Sequence, residues 1–129
     1  MSISREFFSD PRITQAKKLV LEALKEHQSK IKSIKEADSD LKIKYEDLLK
    51  HFGEIRGANL YFPYLGSGFG KGSLVELADG SIKYDMITGI GPHVYGHSNP
   101  EIISTSIDGA LSDIIMEGNL QQNVDTVEL

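Results

Sequence analysis

The chain has 129 residues, of which 40% are hydrophobic and 26% are charged, a mixture typical of a soluble globular protein. It contains no cysteine, which excludes disulfides, thiolate catalysis and cysteine-based zinc sites. The net charge of -5 argues against nucleic acid as the main partner, because phosphate backbones attract basic surfaces. No apolar run approaches the roughly 20 residues of a membrane span, and Met1–Asp10 lacks a signal-peptide pattern, so we expect a cytoplasmic protein without membrane contact.

The first long element is a predicted helix from Pro11 to Lys35. Asp10 can cap its N-terminus, and proline suits the first helical position. Charges of both signs cover much of its surface, which we interpret as solvated. Its apolar and semi-apolar residues recur at gaps of three and four: Ile13, Ala16, Val20, Leu24, His27, Ile31 and Ile34.

A second helix is predicted from Asp40 to His51. Asp38 or Ser39 can cap its start, and Gly53 is expected to stop it. Its apolar stripe consists of Leu41, Tyr45, Leu48, Leu49 and Phe52.

A loop rich in glycine and aromatic residues is expected over Gly57–Gly72. Two strands, Leu74–Ala78 and Ile82–Met86, should follow as a β-hairpin. The Asp79-Gly80 pair between them favours a tight turn with positive φ at both positions. In the second strand, alternation places Lys83 and Asp85 on the face opposite Ile82.

The remaining chain is predicted to form a loop over Thr88–Asn99 and then a third helix. Asn99 is the expected cap, Pro100 the first helical residue and Gly118 the end. Residues 123–129 resemble the beginning of another helix without its end, so we expect a chain truncated within a larger protein. The predicted fold class is therefore α+β, with N-terminal helices, a short antiparallel β-hairpin and a further helix.

The glycine-rich run Gly66–Gly72 could suggest a phosphate-binding loop. A Walker loop requires serine or threonine after its Gly-Lys pair, but Gly72 stands there. A dinucleotide fingerprint fails as well, because a strand should precede the run and a helix should follow it. We interpret the run as a connector with tight turns.

The histidines His93 and His97 are four residues apart, a spacing that metal ligands on a helix can have. The glycines and proline around them disfavour a helix, and no acidic third ligand stands nearby, so no metal site is predicted. Asp79 and Asp85 are interpreted as turn and strand-face residues rather than as an acid/base pair. A Gly-x-Ser-x-Gly nucleophile motif is absent from the sequence.

Tyr61, Phe62 and Tyr64 form an aromatic cluster with two interpretations. They could be a hydrophobic plug under the loop, which is the more common role of such side chains. Alternatively, they could wall a small-molecule pocket, since aromatic rings supply rigid apolar surface with a polar tip.

Residues 71–100 read KGSLVELADGSIKYDMITGIGPHVYGHSNP. This stretch resembles the N-terminal signature of class III pyridoxal-phosphate aminotransferases, the ornithine/4-aminobutyrate type. The Gly91-Pro92 pair is most similar to the glutamate-semialdehyde aminomutase branch. The matching positions are Gly72, Asp79-Gly80, Tyr84-Asp85, Gly89, Gly91, Gly96-His97 and Pro100.

The resemblance implies the first part of a fold-type I enzyme, a cytoplasmic homodimer with its active site at the subunit interface. Residues 1–56 would be a helical N-terminal extension, and residues 57–129 the N-terminal segment of the aminotransferase, truncated before its cofactor-binding domain. By the same resemblance, the substrate-binding positions are Tyr61, Phe62 and Ile90, and the cofactor-binding positions are Gly89 and Gly91. Relatives place a substrate-facing aromatic where Ile90 stands.

The resemblance also indicates what this stretch lacks. Relatives hold pyridoxal 5'-phosphate with a phosphate loop, an aspartate at the pyridine nitrogen and a Schiff-base lysine, all later in the chain. The full-length protein would move an amino group between an amine or ω-amino acid and a 2-oxo acid. This chain alone is expected neither to bind the cofactor stably nor to transaminate. Without the rest of the enzyme, this chain is expected to self-associate through its helices. The alternative is a non-catalytic helical interaction module in which the aromatic loop and the hairpin only cap a helical bundle.

Overall fold

A computed structural model describes residues 2–112, which combine helices with one antiparallel sheet. This arrangement agrees with the predicted α+β class. The predicted helix end at Gly118 and the predicted helix start at 123–129 lie outside the described residues. The helices are α1 (Ile3–Phe8), α2 (Pro11–Gln28), α3 (Ser39–Arg56) and α4 (Pro100–Leu111), and the strands are β1 (Gly66–Lys71), β2 (Leu74–Leu77) and β3 (Ile82–Tyr84).

The described residues group into two compact units, residues 2–23 with 100–112 and residues 24–99. In the first unit, the Lys17 ammonium lies 2.6 Å from both carboxylate oxygens of Asp108 and joins α2 to α4. The short helix α1 was not predicted, although Ser2 caps it by accepting the N–H of Arg5. The predicted domain boundary after residue 56 stays a prediction. No helix within residues 2–112 has the length and apolarity of a membrane span.

Helix α2 begins as predicted, because an Asp10 carboxylate oxygen accepts the N–H of Arg12 at 2.8 Å. The predicted end at Lys35 is wrong, since α2 ends at Gln28. Beyond that point Lys35 exchanges two backbone hydrogen bonds of 3.0 Å with Ile82 in the sheet. Of the two residues that extended the predicted apolar stripe past this point, Ile31 is buried and Ile34 is 62% exposed.

Helix α3 is capped by Asp38, as predicted, but Gly53 does not end it. The helix continues to Arg56 and ends at Gly57, which has a φ of 76°. Gly53 is buried, and a Cβ atom there would lie 2.5 Å from Oδ1 of Asn59. Gly53 therefore allows the chain after the helix to pack closely against α3, and it does not end the helix.

The predicted hairpin is confirmed, with Leu74 opposite Tyr84 and Glu76 opposite Ile82. Its turn differs from the prediction: Gly80 has a φ of 75°, and Asp79 is not among the described positive-φ residues. The Gly80 amide donates to the carbonyl oxygen of Leu77, and the Leu77 amide donates to that of Ser81. These bonds close a turn longer than the predicted two-residue one. Its last residue, Gly80, is left-handed, so the turn requires glycine at only one position.

The expected connector contains a third strand. Strand β1 pairs with β2, with Gly66 opposite Leu77 and Lys71 opposite Leu74, and the pairing is irregular between Gly66 and Gly70. Glycine disfavours strand interiors, so its abundance here suggested a loop. Among the residues that the structure describes, the buried apolar side chains all lie in the unit formed by residues 24–99: Leu24, Ile31, Tyr45, Leu77 and Ile82.

Candidate functional site

The Asp85 carboxylate, just after β3, accepts hydrogen bonds with both of its oxygens. Oδ1 accepts the backbone N–H groups of Ile87 at 2.8 Å and Thr88 at 2.9 Å. Oδ2 lies 2.7 Å from Nε2 of His97. The bonds from Ile87, His97 and Thr88, in that order of size, hold the pKa of the Asp85 carboxyl below its usual value. Asp85 is therefore ionised at neutral pH.

His97 meets Asp85 in a sheltered setting, with only 14% of its side chain exposed. Its backbone N–H donates to the carbonyl oxygen of Gly72 at 2.9 Å. Because an ionised carboxylate only accepts, Nε2 must carry a hydrogen whether the ring is neutral or charged. Asp85 therefore fixes the orientation of the His97 ring and keeps the hydrogen on Nε2.

His93 stacks on His97, with ring centroids 4.2 Å apart and an interplanar angle of 28°. The nitrogen lone pairs of an imidazole lie in its ring plane, so stacked rings do not direct them to one ion. Within residues 2–112, no group of three or more histidine, cysteine, aspartate or glutamate side chains could hold a metal.

A shallow depression of about 300 Å³ opens beside this pair. Among the described residues, neither lysine nor arginine lines it, so it offers no amine for a covalent bond to a cofactor, and only its two histidines could carry a positive charge. On their own, these residues do not build a pyridoxal-phosphate site. The lining consists of Gly72, Ser73, Asp85, Thr88, His93, Val94, Tyr95, Gly96 and His97.

The turn after Asp85 has an unusual backbone. Thr88, Gly89 and Ile90 have φ angles of 54°, 60° and 60°, and Gly91 has 109°. Left-handed φ is normal for glycine but strained for β-branched Thr88 and Ile90. The surrounding structure must therefore hold this turn in place.

Buried polar contacts fix the chain beneath His97. Nε2 of Gln28 donates to the carbonyl oxygens of Gly70 and Ser98, each at 2.9 Å. The Gly70 amide donates to Oγ of Ser98 at 3.1 Å. A Cβ atom on Gly70 would lie 2.6 Å from Cβ of His97, so only glycine fits there.

The structure brings the predicted cofactor positions Gly89 and Gly91 together with Ile90 in one turn, where Ile90 is 92% exposed. Tyr61 and Phe62 form an edge-to-face pair with centroids 4.7 Å apart, and neither lines the depression beside His97. The assignment of these five residues to substrate and cofactor stays a prediction.

The interpretation of the aromatic cluster as a buried plug is wrong. Tyr61 is 89% exposed, and Phe62 and Tyr64 are 59% and 60% exposed. The buried aromatic residue that contacts this segment is Tyr45 of α3. Its hydroxyl donates to Pro63 O at 2.8 Å and accepts the Leu65 N–H at 3.0 Å. The aromatic rings remain available for another surface.

Sequence reasoning did not foresee the Asp85–His97 pair or the buried Gln28. One local signal was present: an aspartate that ends a strand and precedes a turn often accepts backbone N–H groups there. The bond to His97 spans 12 residues of sequence, and no periodicity marks it. No protein-family model, curated protein or solved structure matches this chain.

Proposed function

We propose that this chain is the N-terminal portion of a pyridoxal-phosphate-dependent class III aminotransferase. The full-length enzyme moves an amino group between an amine or ω-amino acid and a 2-oxo acid, as a cytoplasmic homodimer. The motif order within residues 71–100 supports this family. The described lining of the depression contains no lysine, which agrees with a Schiff-base lysine that lies elsewhere in the enzyme.

The observation that carries the proposal is the exposure of the large apolar residues around the predicted ligand positions. Soluble proteins seldom leave many such side chains in water, so their exposure around these positions favours a surface that another body covers. Between residues 61 and 95 the exposed ones are Tyr61, Phe62, Tyr64, Tyr84, Met86, Ile87, Ile90, Val94 and Tyr95.

The roles proposed for individual residues follow from their positions. Ile90 projects into solvent from a turn whose neighbours Gly89 and Gly91 lack side chains, so a ligand could approach the backbone there. The exposed Tyr61–Phe62 pair supplies rigid aromatic surface. In the complete enzyme these five residues would form one wall of the substrate pocket.

The native gene beyond Leu129 provides the decisive test. The proposal expects an open reading frame that continues into a phosphate loop and a lysine-bearing strand. Its purified product should transfer amino groups from a panel of ω-amino acids to 2-oxo acids. A native stop codon after Leu129, or a full-length product inactive across the panel and unable to bind the cofactor, would contradict it.

A second candidate, a non-catalytic interaction module, is favoured by α3. Together with Tyr45, a set of exposed apolar residues recurs along α3 at alternating gaps of four and three: Leu41, Leu48, Phe52 and Ile55, which are 40%, 50%, 39% and 69% exposed. Such a stripe can bind another helix. Sedimentation separates the candidates: the module requires that Leu48→Glu dissociate an oligomer of the 129-residue chain, whereas the aminotransferase does not depend on that stripe.

A further inference from the structure

The turn at Thr88–Ile90 must be held against its own backbone preference. Thr88 and Ile90 are β-branched and left-handed, a combination that persists only where other contacts enforce it. The Ile90 side chain supplies no such contact, because it is 92% exposed. Bonds within the segment are limited to short-range ones such as His93 N to Thr88 O at 3.1 Å and Gly96 N to His93 O at 2.8 Å.

Asp85 reaches both ends of this strained segment. Its Oδ1 accepts the amides of Ile87 and Thr88, where the segment begins, and its Oδ2 accepts from His97, where the segment closes. Charge-assisted hydrogen bonds of this kind are stronger than neutral ones.

The backbone of Asp85 and the backbone of His97 are also held in place by hydrogen bonds. The Asp85 amide donates to Ser73 O at 2.8 Å, and the His97 amide donates to Gly72 O at 2.9 Å. Gly72 and Ser73 connect β1 to β2, so both residues are attached to neighbouring positions in the sheet. The two ends of the segment therefore share one rigid support.

We infer that Asp85 and His97 form a clamp that holds residues 87–96 in the strained conformation and so sets the position of Ile90 and its flanking glycines. The clamp itself is a property of this chain. Its consequence for substrate binding rests on the proposed function. Asp85 and His97 are positioning residues in this inference, because they act on a ligand at Ile90 through the backbone of the turn.

The clamp is tested on the 129-residue chain by NMR. Carbon chemical shifts and the amide–α-proton couplings of Thr88 and Ile90 report their φ angles. We expect Asp85→Ala and His97→Ala to abolish the left-handed signature and to raise amide exchange at Val94 and Gly96 by about tenfold or more. His97→Gln, which can still donate to Asp85, should retain the signature.

Asp47→Ala is the matched control, because this aspartate is exposed on α3 and should leave the turn unchanged. Amide exchange at Leu77, in the sheet, reveals whether a variant has unfolded as a whole. If Asp85→Ala unfolds, the comparison of His97→Ala with His97→Gln tests the clamp. Left-handed φ retained in His97→Ala, or lost equally in both histidine variants, would overturn the inference.

The functional consequence is measured in the complete enzyme. There His97→Ala should raise KM for the amino donor about tenfold or more, with kcat changed far less, and His97→Gln should restore KM. An equal loss of kcat in both variants would contradict the positioning role. If the complete protein has no transaminase activity, the proposed function is wrong. The NMR experiment on the 129-residue chain still tests the clamp independently.

Discussion

The side-chain amide of Gln28 lies 2.9 Å from the carbonyl oxygen of Gly70, and so joins the end of α2 to β1 in a buried position. The same nitrogen also donates to Ser98 O, which belongs to the segment that follows His97. One side-chain nitrogen therefore serves a buried and a partly buried backbone acceptor.

Replacing Gln28 should destabilise the chain. Gln28→Ala leaves the carbonyl oxygens of Gly70 and Ser98 without this donor, and buried unsatisfied groups cost about 1–3 kcal/mol. Urea unfolding of Gln28→Ala and of Gln15→Ala, at an exposed position on the same helix, gives the comparison. We expect a lower midpoint only for Gln28→Ala. Equal midpoints for the two variants would show that the buried bonds contribute nothing.

Gly70→Ala tests the close approach of β1 to His97. The new Cβ would lie 2.6 Å from His97 Cβ and 2.6 Å from Leu74 O, so the backbone must shift. Overpacking of this kind costs about 1–3 kcal/mol. Gly109→Ala is the control, because nothing lies within 4 Å of a Cβ there, and in a helix it should stabilise by about 0.5–1 kcal/mol. Thermal unfolding should show opposite signs for the two variants.

Tyr45→Phe removes a hydroxyl that satisfies Pro63 O and Leu65 N while it keeps the ring in the core. We expect a loss of about 1–2 kcal/mol in the free energy of unfolding. Amide exchange at Leu65 should also accelerate. Tyr61→Phe is the control, since Tyr61 is 89% exposed and its change should stay within about 0.5 kcal/mol. A stable Tyr45→Phe with a protected Leu65 amide would contradict the assigned role.

Asp10 provides a prediction for acid pH. Hydrogen bonds from the Arg12 side chain and its backbone N–H lower the pKa of the Asp10 carboxyl to about 2 from an ordinary value of 3.8. A carboxyl with a depressed folded-state pKa stabilises the fold above the unfolded value. The capping contribution should therefore be complete above pH 3.8 and disappear as the pH falls towards 2.

The measurement is an NMR titration of the Asp10 carboxyl carbon. Arg12→Ala should raise the Asp10 pKa, because it removes the largest of these interactions, whereas Arg5→Ala in α1 should not. An Asp10 pKa that is already ordinary in the unmodified chain would show that the Arg12 contact does not form in solution.

Local sequence identified helix starts better than helix ends. Asp10 and Asp38 identify helix starts, since a cap acts within its own turn. Past the end of α2 the chain pairs with the sheet through Lys35 and Ile82, and Gly53 lies inside α3 in close contact with Asn59. Neither contact leaves a periodic trace in the sequence.

The candidate site, too, could be predicted from the sequence only in part. The glycines at 89 and 91 lie in the predicted loop over Thr88–Asn99, and both have positive φ. Left-handed Thr88 and Ile90 could not be foreseen, because β-branched residues avoid that region unless other groups enforce it. The enforcing pair, Asp85 and His97, comes together only through the β1–β2 connection.

Borohydride trapping tests the central claim most directly, namely that this chain is the first part of an enzyme whose cofactor-bearing lysine lies beyond Leu129. The native full-length protein and the 129-residue chain are each incubated with pyridoxal 5'-phosphate, reduced and mapped by mass spectrometry. We predict stoichiometric label on one lysine after residue 129 in the full-length protein and no stoichiometric label in the short chain. Stoichiometric label on a lysine within residues 1–129, or a full-length protein that takes up none, would contradict the claim.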